Sequence, residues 1–362
     1  MGERVFLGMS GGVDSALAAA LLCERGFEVT GVYMRNWSRD LPGFACPWAD
    51  DLADAERVCV TLGIDLVVWD MEEEYRRTVV DYVVESYRAG LTPNPDVMCN
   101  QTMKFGSFLV RALEEGADLI ATGHYARLGR EGDGVALLRS ANEHKDQTYF
   151  LWRVGADALG RTLFPVGDIA DKATVRDMCA ERGLDVWDKP DSDGICFVGP
   201  VGIRTFLLDA LDRQAGDVVE WETGRVLGRH DGAFLFTIGQ RRGLNLGGGP
   251  ARYVVATDTA RNVVYVTADR ACPALLTSSV ELFDCHWVSG HAPEPGDYLV
   301  RCRHTGALAR AYVTCGSPDA CEVRFAVPHE EVAPGQSVVV YDGIRCLGGG
   351  MRAPHALDLP FA

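Results

Sequence analysis

The 362-residue chain sets 35 basic against 51 acidic side chains, a formal charge of −16. That balance argues against a nucleic-acid partner, because phosphate recognition wants a basic face, so any such surface must be a local patch. With 47% hydrophobic and 24% charged residues the composition is that of a globular protein with real cores, and at about 100–200 residues per domain the length suggests two or three domains. No apolar run approaches the roughly 20 residues that span a bilayer, and the N-terminus enters a strand at once, with no signal peptide. Twelve cysteines without such a signal argue for a reducing cytosol and free thiols. No C-x-x-C pair occurs, which disfavours a zinc ribbon, and no resident metal site is expected.

In chain order, residues 5–9 predict a strand, and an Ala/Leu-rich run predicts a helix over 13–25 closed by Gly26. Residues 27–34 read as a second strand, 50–63 as a second helix, 64–69 as a third strand and 72–89 as a third helix, with Val79, Val80, Val83 and Val84 at helical spacing. Residues 118–122 form another strand, ending in Gly123-His124-Tyr125. Such alternation gives an α/β fold with a parallel, doubly wound sheet. Ligands of such sheets sit beyond the carboxyl ends of strands, where Ser10, Met34 and Gly123 all fall. After about residue 200 the pattern changes to a short helix over 204–211 and then short strands with Gly and Pro turns: VVEWETGRVLG, FLFTIGQRRGL, RYVVATD, NVVYVT, YLVRCRHT, ARAYVTC, CEVRFAV and SVVVYDG. The expected organisation is a nucleotide domain over 1–200, a small β-rich central domain over 201–273 and a C-terminal β-barrel over 274–362, with a seam near 256–275.

The stretch from Gly8 and Met9 through Ser10-Gly11-Gly12-Val13-Asp14-Ser15 joins the first strand to the first helix. Its glycines let the backbone turn and approach an anion, and the N–H groups of the first helical turn point at that anion. Ser10 and Ser15 add hydroxyl donors, and Asp14 can hold a Mg²⁺ ion or orient the turn. A P-loop needs G-x-x-x-x-G-K-[ST] and a dinucleotide loop needs G-x-G-x-x-G. Neither fits, and no lysine lies within 8–15, so the loop suits a pyrophosphate that leaves. It resembles the SGGxDS signature of enzymes that split ATP into AMP and pyrophosphate.

Two cysteines stand in loops rich in Pro, Gly and Asp. Cys99 closes Thr92-Pro93-Asn94-Pro95-Asp96-Val97-Met98-Cys99, with a helix expected to begin near Asn100; a thiol at a helix N-terminus ionises more readily. Asp96, three residues earlier, is placed to give or take a proton. Cys196 lies in Asp191-Ser192-Asp193-Gly194-Ile195-Cys196, a loop able to carry a thiol in and out of a site. Cys23, Cys59 and Cys179 read instead as buried apolar residues on helices.

The order of SGGVDS, TPNPDVMCN, ATGHYARL, KDQTYFLW, LFPVG, DSDGICFVG, FTIGQRRGL, VAPGQSVVVYDG and CLGGG, covering nearly the whole chain, resembles the tRNA-specific 2-thiouridylases, the MnmA family. The resemblance implies ATP-dependent 2-thiolation of the wobble uridine of tRNA anticodons. ATP with Mg²⁺ adenylates the C2 oxygen, and pyrophosphate leaves into the loop. Sulfur arrives as a persulfide on Cys196 from a relay fed by a cysteine desulfurase. Cys99 releases it by forming a disulfide with Cys196, and Asp96 acts as general acid and base. The resemblance assigns ATP to Gly8, Met9, Ser10, Gly11, Gly12, Val13, Asp14, Ser15, Met34 and Gly123. It assigns the target base to Asn94, Pro95 and Asp96, and tRNA to His124, Lys145, Asp146, Gln147, Arg301, Cys302 and Gln336, in a cytoplasmic monomer that touches no membrane.

Two positions depart from the family pattern. Cys302 stands where an aromatic residue is expected, which weakens stacking there, and Asp193 replaces a threonine, adding negative charge beside the Cys196 thiol. Read from the residues alone, His124 is equally a strand-end histidine bonded to backbone, and Lys145-Asp146-Gln147 is a solvated turn. Arg301 and Arg303 alternate along a strand and so share a side; with Arg310 they form a candidate basic face, and Arg241-Arg242 forms another. Three other readings stand beside thiolation by persulfide: an iron–sulfur cluster held by Cys99 and Cys196, amidation with ammonia, and tRNA binding without catalysis.

Overall fold

The computed structural model describes residues 2–40, 46–131, 134–191, 202–355 and 359–361. β1 (Arg4–Met9) turns Val5, Leu7 and Met9 to one face and Phe6 to the other. It is followed by α1 (Val13–Glu24), β2 (Glu28–Arg35), α2 (Trp48–Leu62) and β3 (Asp65–Asp70). The single helix expected over 72–89 forms α3 (Glu72–Tyr75), a π-helical stretch Arg76–Val80 and α4 (Asp81–Arg88). A second helix of the same construction comprises α5 (Pro95–Cys99), a π-helical stretch Asn100–Ser107 and α6 (Phe108–Glu114). Next come β4 (Leu119–Ala121), the hairpin β5 (Ala126–Glu131) and β6 (Gly134–Arg139), α7 (Thr148–Leu151), α8 (Ala156–Leu159), β7 (Thr162–Leu163) and α9 (Lys172–Glu181).

The first sheet runs β3-β2-β1-β4-β7 with every pair parallel. Val5, Leu7, Leu17, Val175 and Cys179 form the core on the side of α1 and α9. Phe6, Trp69, Val83, Met103 and Phe108 form it on the other side. Strand order reverses at β1, which has β2 on one side and β4 on the other, so the crevice lies beyond the ends of β1 and β4.

The central domain has α10 (Gly202–Ala210) and a sheet ordered β10-β11-β8-β9, built from β8 (Gly216–Glu220), β9 (Val226–His230), β10 (Tyr253–Asp258) and β11 (Val263–Thr267). FLFTIGQRRGL, expected as a strand, is instead a 3-10 turn Ala233–Leu235 followed by irregular chain; Gly239, at φ 82°, bends it out of strand geometry. Ala256, Thr257 and Asp258 close β10. The C-terminal strands are β12 (Leu276–Trp287), β13 (Gly296–Arg301), β14 (Ala309–Ser317), β15 (Ala320–Glu330), β16 (Ser337–Asp342) and β17 (Arg345–Arg352). They run β12-β15-β14-β13-β16-β17, all antiparallel, and the β12–β17 pairing closes the barrel.

The hairpin β5–β6 leaves the nucleotide domain and adds to β17 through Arg345↔Leu138 and Cys346↔Leu137, so the two domains share one sheet. Cys315 and Cys321, opposite each other on β14 and β15, form a disulfide, which corrects the expectation of free thiols throughout. Cys59 and Cys179 are buried as expected, whereas Cys23 is only half-buried. No described helix is long and apolar enough to cross a membrane.

Candidate active site

The Gly-rich loop folds as its sequence demands. Gly11 sits at φ 70°, and a Cβ there would lie 2.1 Å from the Asp51 carbonyl oxygen. Ser15 Oγ donates to the Gly12 carbonyl at 3.0 Å and accepts from Ser10 N at 3.2 Å, closing the turn. Gly12 caps α1 without a side chain, so the first-turn amides have no capping oxygen. The expected neighbours converge. A Cβ on Gly8 would lie 3.3 Å from Met34 Cε, and one on Gly123 would lie 2.8 Å from Ser15 N.

Cations missing from the loop arrive from elsewhere. Lys172, the first residue of α9, places Nζ 2.7 and 2.8 Å from the two Asp14 carboxylate oxygens. It also lies 2.9 Å from Asp191. Asp191 further takes Lys145 at 2.6 Å and Arg176 at 3.2 Å. Burial opposes its ionisation, but Lys145 and Lys172 outweigh burial and hold its carboxyl below the usual range. Lys189 Nζ donates to the Gly11 carbonyl at 3.1 Å and pairs with Asp51 and Asp54 at 2.7 and 2.5 Å. The Tyr125 hydroxyl donates to Asp14 at 2.7 Å; burial and that carboxylate keep the phenol protonated.

Cys99 is placed differently from the expectation. The helix begins at Pro95, with Asn94 as its cap accepting from Val97 N at 3.4 Å. The thiol therefore sits in the second turn, buried among Val97, Met103 and Phe105, and is not at a helix N-terminus. Asp96, in the first turn, is half-buried. Desolvation pushes its carboxyl up from the ordinary range, and Lys104 on the same helix opposes the rise. Cys196 and Asp193 lie outside the described residues. The same helix reaches the nucleotide loop at its other end. The Phe105 ring lies 5.7 Å from that of His124, which follows Gly123, and Phe108 Cε1 would lie 3.9 Å from a Cβ on Gly8.

The residues assigned to tRNA divide. His124 is buried between Phe105 and Phe164, and its Nδ1 is 2.8 Å from Thr122 Oγ1. Burial, aided by the Lys104 charge, pushes it well below the ordinary histidine range, so it is neutral. Lys145-Asp146-Gln147 is no solvated turn. Asp146 is fully buried and pairs with Arg139 at 3.3 Å and Arg301 at 3.0 Å. Gln147 Oε1 accepts from Tyr125 N at 2.9 Å.

Arg301 is likewise buried, while Arg303 lies beyond the end of β13 and is exposed, so the two do not share a face. Cys302 is buried, its thiol pushed up to about 12 by desolvation, and its carbonyl accepts from the Tyr149 hydroxyl at 3.2 Å. Gln336 Nε2 donates to the Thr92 carbonyl at 3.1 Å, and Thr92 N donates to Pro334 at 2.7 Å, which anchors the Asn94-Pro95-Asp96 segment on the barrel. Beside this anchor, a cleft of about 280 Å³ is lined by Gln240, Cys302, Arg303 and Gln336. It shares Thr237 and Gln240 with a second cavity of about 260 Å³, lined also by Tyr87, Arg204 and Arg242.

Sequence reasoning missed Lys104, Lys172, Lys189, Tyr125 and Asp191. One signal was available. Only four of the 35 basic residues are lysines, namely Lys104, Lys145, Lys172 and Lys189, and all four gather at this site.

Three family models match the chain in succession: a tRNA methyl transferase HUP domain over residues 3–200, a tRNA methyl transferase PRC-barrel domain over 204–268 and an aminomethyltransferase β-barrel domain over 278–351. A tRNA-specific 2-thiouridylase MnmA from Idiomarina loihiensis is 42% identical over 98% of this chain and 97% of its own length. Its counterpart from Bacillus subtilis is 42% identical over 96% and 94%, and that from Polynucleobacter asymbioticus is 43% identical over 96% and 95%. A solved 4-thiouridine synthetase–RNA complex with bound ATP aligns at 18% identity over 55% of this chain and 45% of that chain, with a TM-score of 0.37, an overlap too low to add to these matches. With matches of this length and identity, the chain belongs to the tRNA-specific 2-thiouridylase family.

Proposed function

We propose that this chain uses ATP to replace the C2 oxygen of the wobble uridine of tRNA anticodons with sulfur. One observation carries the reading. A single helix bears Asp96 and Cys99 in its first two turns and meets the nucleotide loop two to three turns later, through Phe105 and Phe108. Six to nine residues of one helix separate the thiol from those two rings, so thiol and nucleotide loop are held along a single element.

In this reading the uridine O2 attacks the α-phosphorus of ATP, and the bond to the β-phosphate breaks. Pyrophosphate departs toward the first-turn amides of α1, which are fixed in place before charge develops. Asp14 fits a magnesium–phosphate group, since it already holds an ammonium at 2.7 and 2.8 Å, and the ion would neutralise phosphate charge there. A persulfide on Cys196, supplied by a relay fed by a cysteine desulfurase, attacks C2, and AMP leaves. The Cys99 thiolate attacks the Cys196 sulfur and breaks the S–S bond, which leaves sulfur on the base and a Cys99–Cys196 disulfide for an external thiol to reduce. Asp96, whose carboxyl burial raises and Lys104 pulls back, takes and returns the proton that balances these steps.

Mass spectrometry of digested tRNA, after incubation with the protein, ATP, Mg²⁺, a cysteine desulfurase with cysteine as persulfide donor, and a thiol reductant, tests the reading. 2-Thiouridine at the wobble position is expected, with AMP released in step. AMP release that ignores tRNA, with no thiolated nucleoside, would overturn it.

A further inference from the structure

We propose that Lys172 is the pyrophosphate ligand that the lysine-free loop lacks, held by Asp14 and Asp191 in the position a departing phosphate takes. This deepens the ATP reading above and rests on it. The Lys172 side chain is only 16% exposed, and its ammonium lies within 3 Å of three carboxylate oxygens, two on Asp14 and one on Asp191. Asp14 is the second residue of α1, so this cation stands at the helix turn whose amides have no side-chain cap. Anionic oxygens at a helix N-terminus beside a lysine are the arrangement of bound phosphate, and here two side-chain carboxylates supply them.

The surroundings carry enough positive charge for the exchange. Asp14 and Asp191 face Lys145, Lys172 and Arg176, three cations for two anions. A phosphate that draws Lys172 from Asp191 leaves that carboxylate with Lys145 and Arg176, so no buried charge is stranded. Residue choice points the same way. Arginine makes up all but four of the chain's basic residues, and its planar fork suits fixed bidentate pairs. Lysine is a compact point charge that changes partners without matching a fork.

Calorimetry with Lys172→Met, using pyrophosphate, ATP and AMP as separate probes, tests the assignment. Pyrophosphate and ATP should bind at least tenfold more weakly, while AMP, which lacks the β- and γ-phosphates, stays within twofold. Pyrophosphate binding within twofold of wild type, or an equal loss for AMP, overturns the assignment. A second arm needs no folded methionine variant. Selective ¹³Cε-lysine labelling yields four side-chain signals, and the one missing from Lys172→Arg identifies residue 172. In the wild-type protein that signal should move with pyrophosphate and stay with AMP; a signal that does not move with pyrophosphate overturns the proposal. A wild-type protein that binds neither ATP nor pyrophosphate overturns the ATP reading itself.

Discussion

Replacing Arg301 with methionine separates two roles for this residue. Family resemblance puts Arg301 on tRNA, whereas its side chain is 6% exposed and pairs at 3.0 Å with Asp146, which is 0% exposed. Asp146 also accepts from Arg139 at 3.3 Å, from Ser140 N at 3.2 Å, and from Thr148 N and Oγ1 at 3.3 and 2.9 Å. The carboxylate thus ties the β5–β6 hairpin and α7 to β13 of the barrel. Removing one partner of a buried pair costs about 3–5 kcal/mol, most of it from the charge left behind. Methionine keeps apolar packing near the Tyr341 ring, over which the guanidinium lies at 5.7 Å, and Arg139 still serves Asp146. Arg301→Met should therefore cost about 3 kcal/mol. Asp146→Ala strands two guanidinium groups and should cost about 5 kcal/mol. The double variant should cost less than the two singles together, because neither charge is left unpaired by the other. Urea unfolding measures all three, and tRNA affinity measured well below the transition should stay within twofold. Wild-type stability combined with weaker tRNA binding and a salt slope lower by about one would make Arg301 a phosphate contact and refute the argument.

The pH dependence of thiolation should follow Asp96. Its carboxyl is raised by burial and pulled back by Lys104, so Lys104→Met should move the acid limb of the rate profile to higher pH, and an unmoved limb would detach Lys104 from Asp96. The same shift has a sign for stability. The folded state holds this proton more tightly than the unfolded chain, so the contribution is present at low pH and lost as pH rises through the folded value; Asp96→Asn should remove that dependence in pH-resolved melts. Gly11→Ala places a methyl 2.1 Å from the Asp51 carbonyl at φ 70°, and calorimetry should find ATP binding abolished. Cys99→Ala should abolish 2-thiouridine while leaving tRNA-dependent pyrophosphate release intact, and the anaerobically purified wild-type protein should show no iron–sulfur absorption band. Thiolation at wild-type levels by Cys99→Ala would remove that thiol from the mechanism.

What the sequence revealed and what it hid follow from how far apart the interacting residues lie. The parallel sheet was legible because each strand and helix announces itself within about ten residues, and the loop from Gly8 to Ser15 is a local signal at a predictable strand end. The β5–β6 hairpin was missed because its partner, β17, begins more than 200 residues after β6 starts, at Arg345 against Leu138. Lys145-Asp146-Gln147 reads as a polar turn for the same reason, since the guanidinium that buries Asp146 is 155 residues away. The expected start of the helix at Asn100 failed locally: Asn94 and Pro95 supply the cap and first residue five positions earlier.

The net charge of −16 averages over a site where Lys145, Lys172 and Arg176 face Asp14 and Asp191. Two kinds of cation divide the work there. Arg139 and Arg301 hold the buried carboxylate that fixes one domain on another, a contact that must not change. Lys145 and Lys172 share one carboxylate at the nucleotide loop, a contact that phosphate can compete for. In a chain that otherwise prefers arginine, the placement of its four lysines marks where anions are expected to come and go.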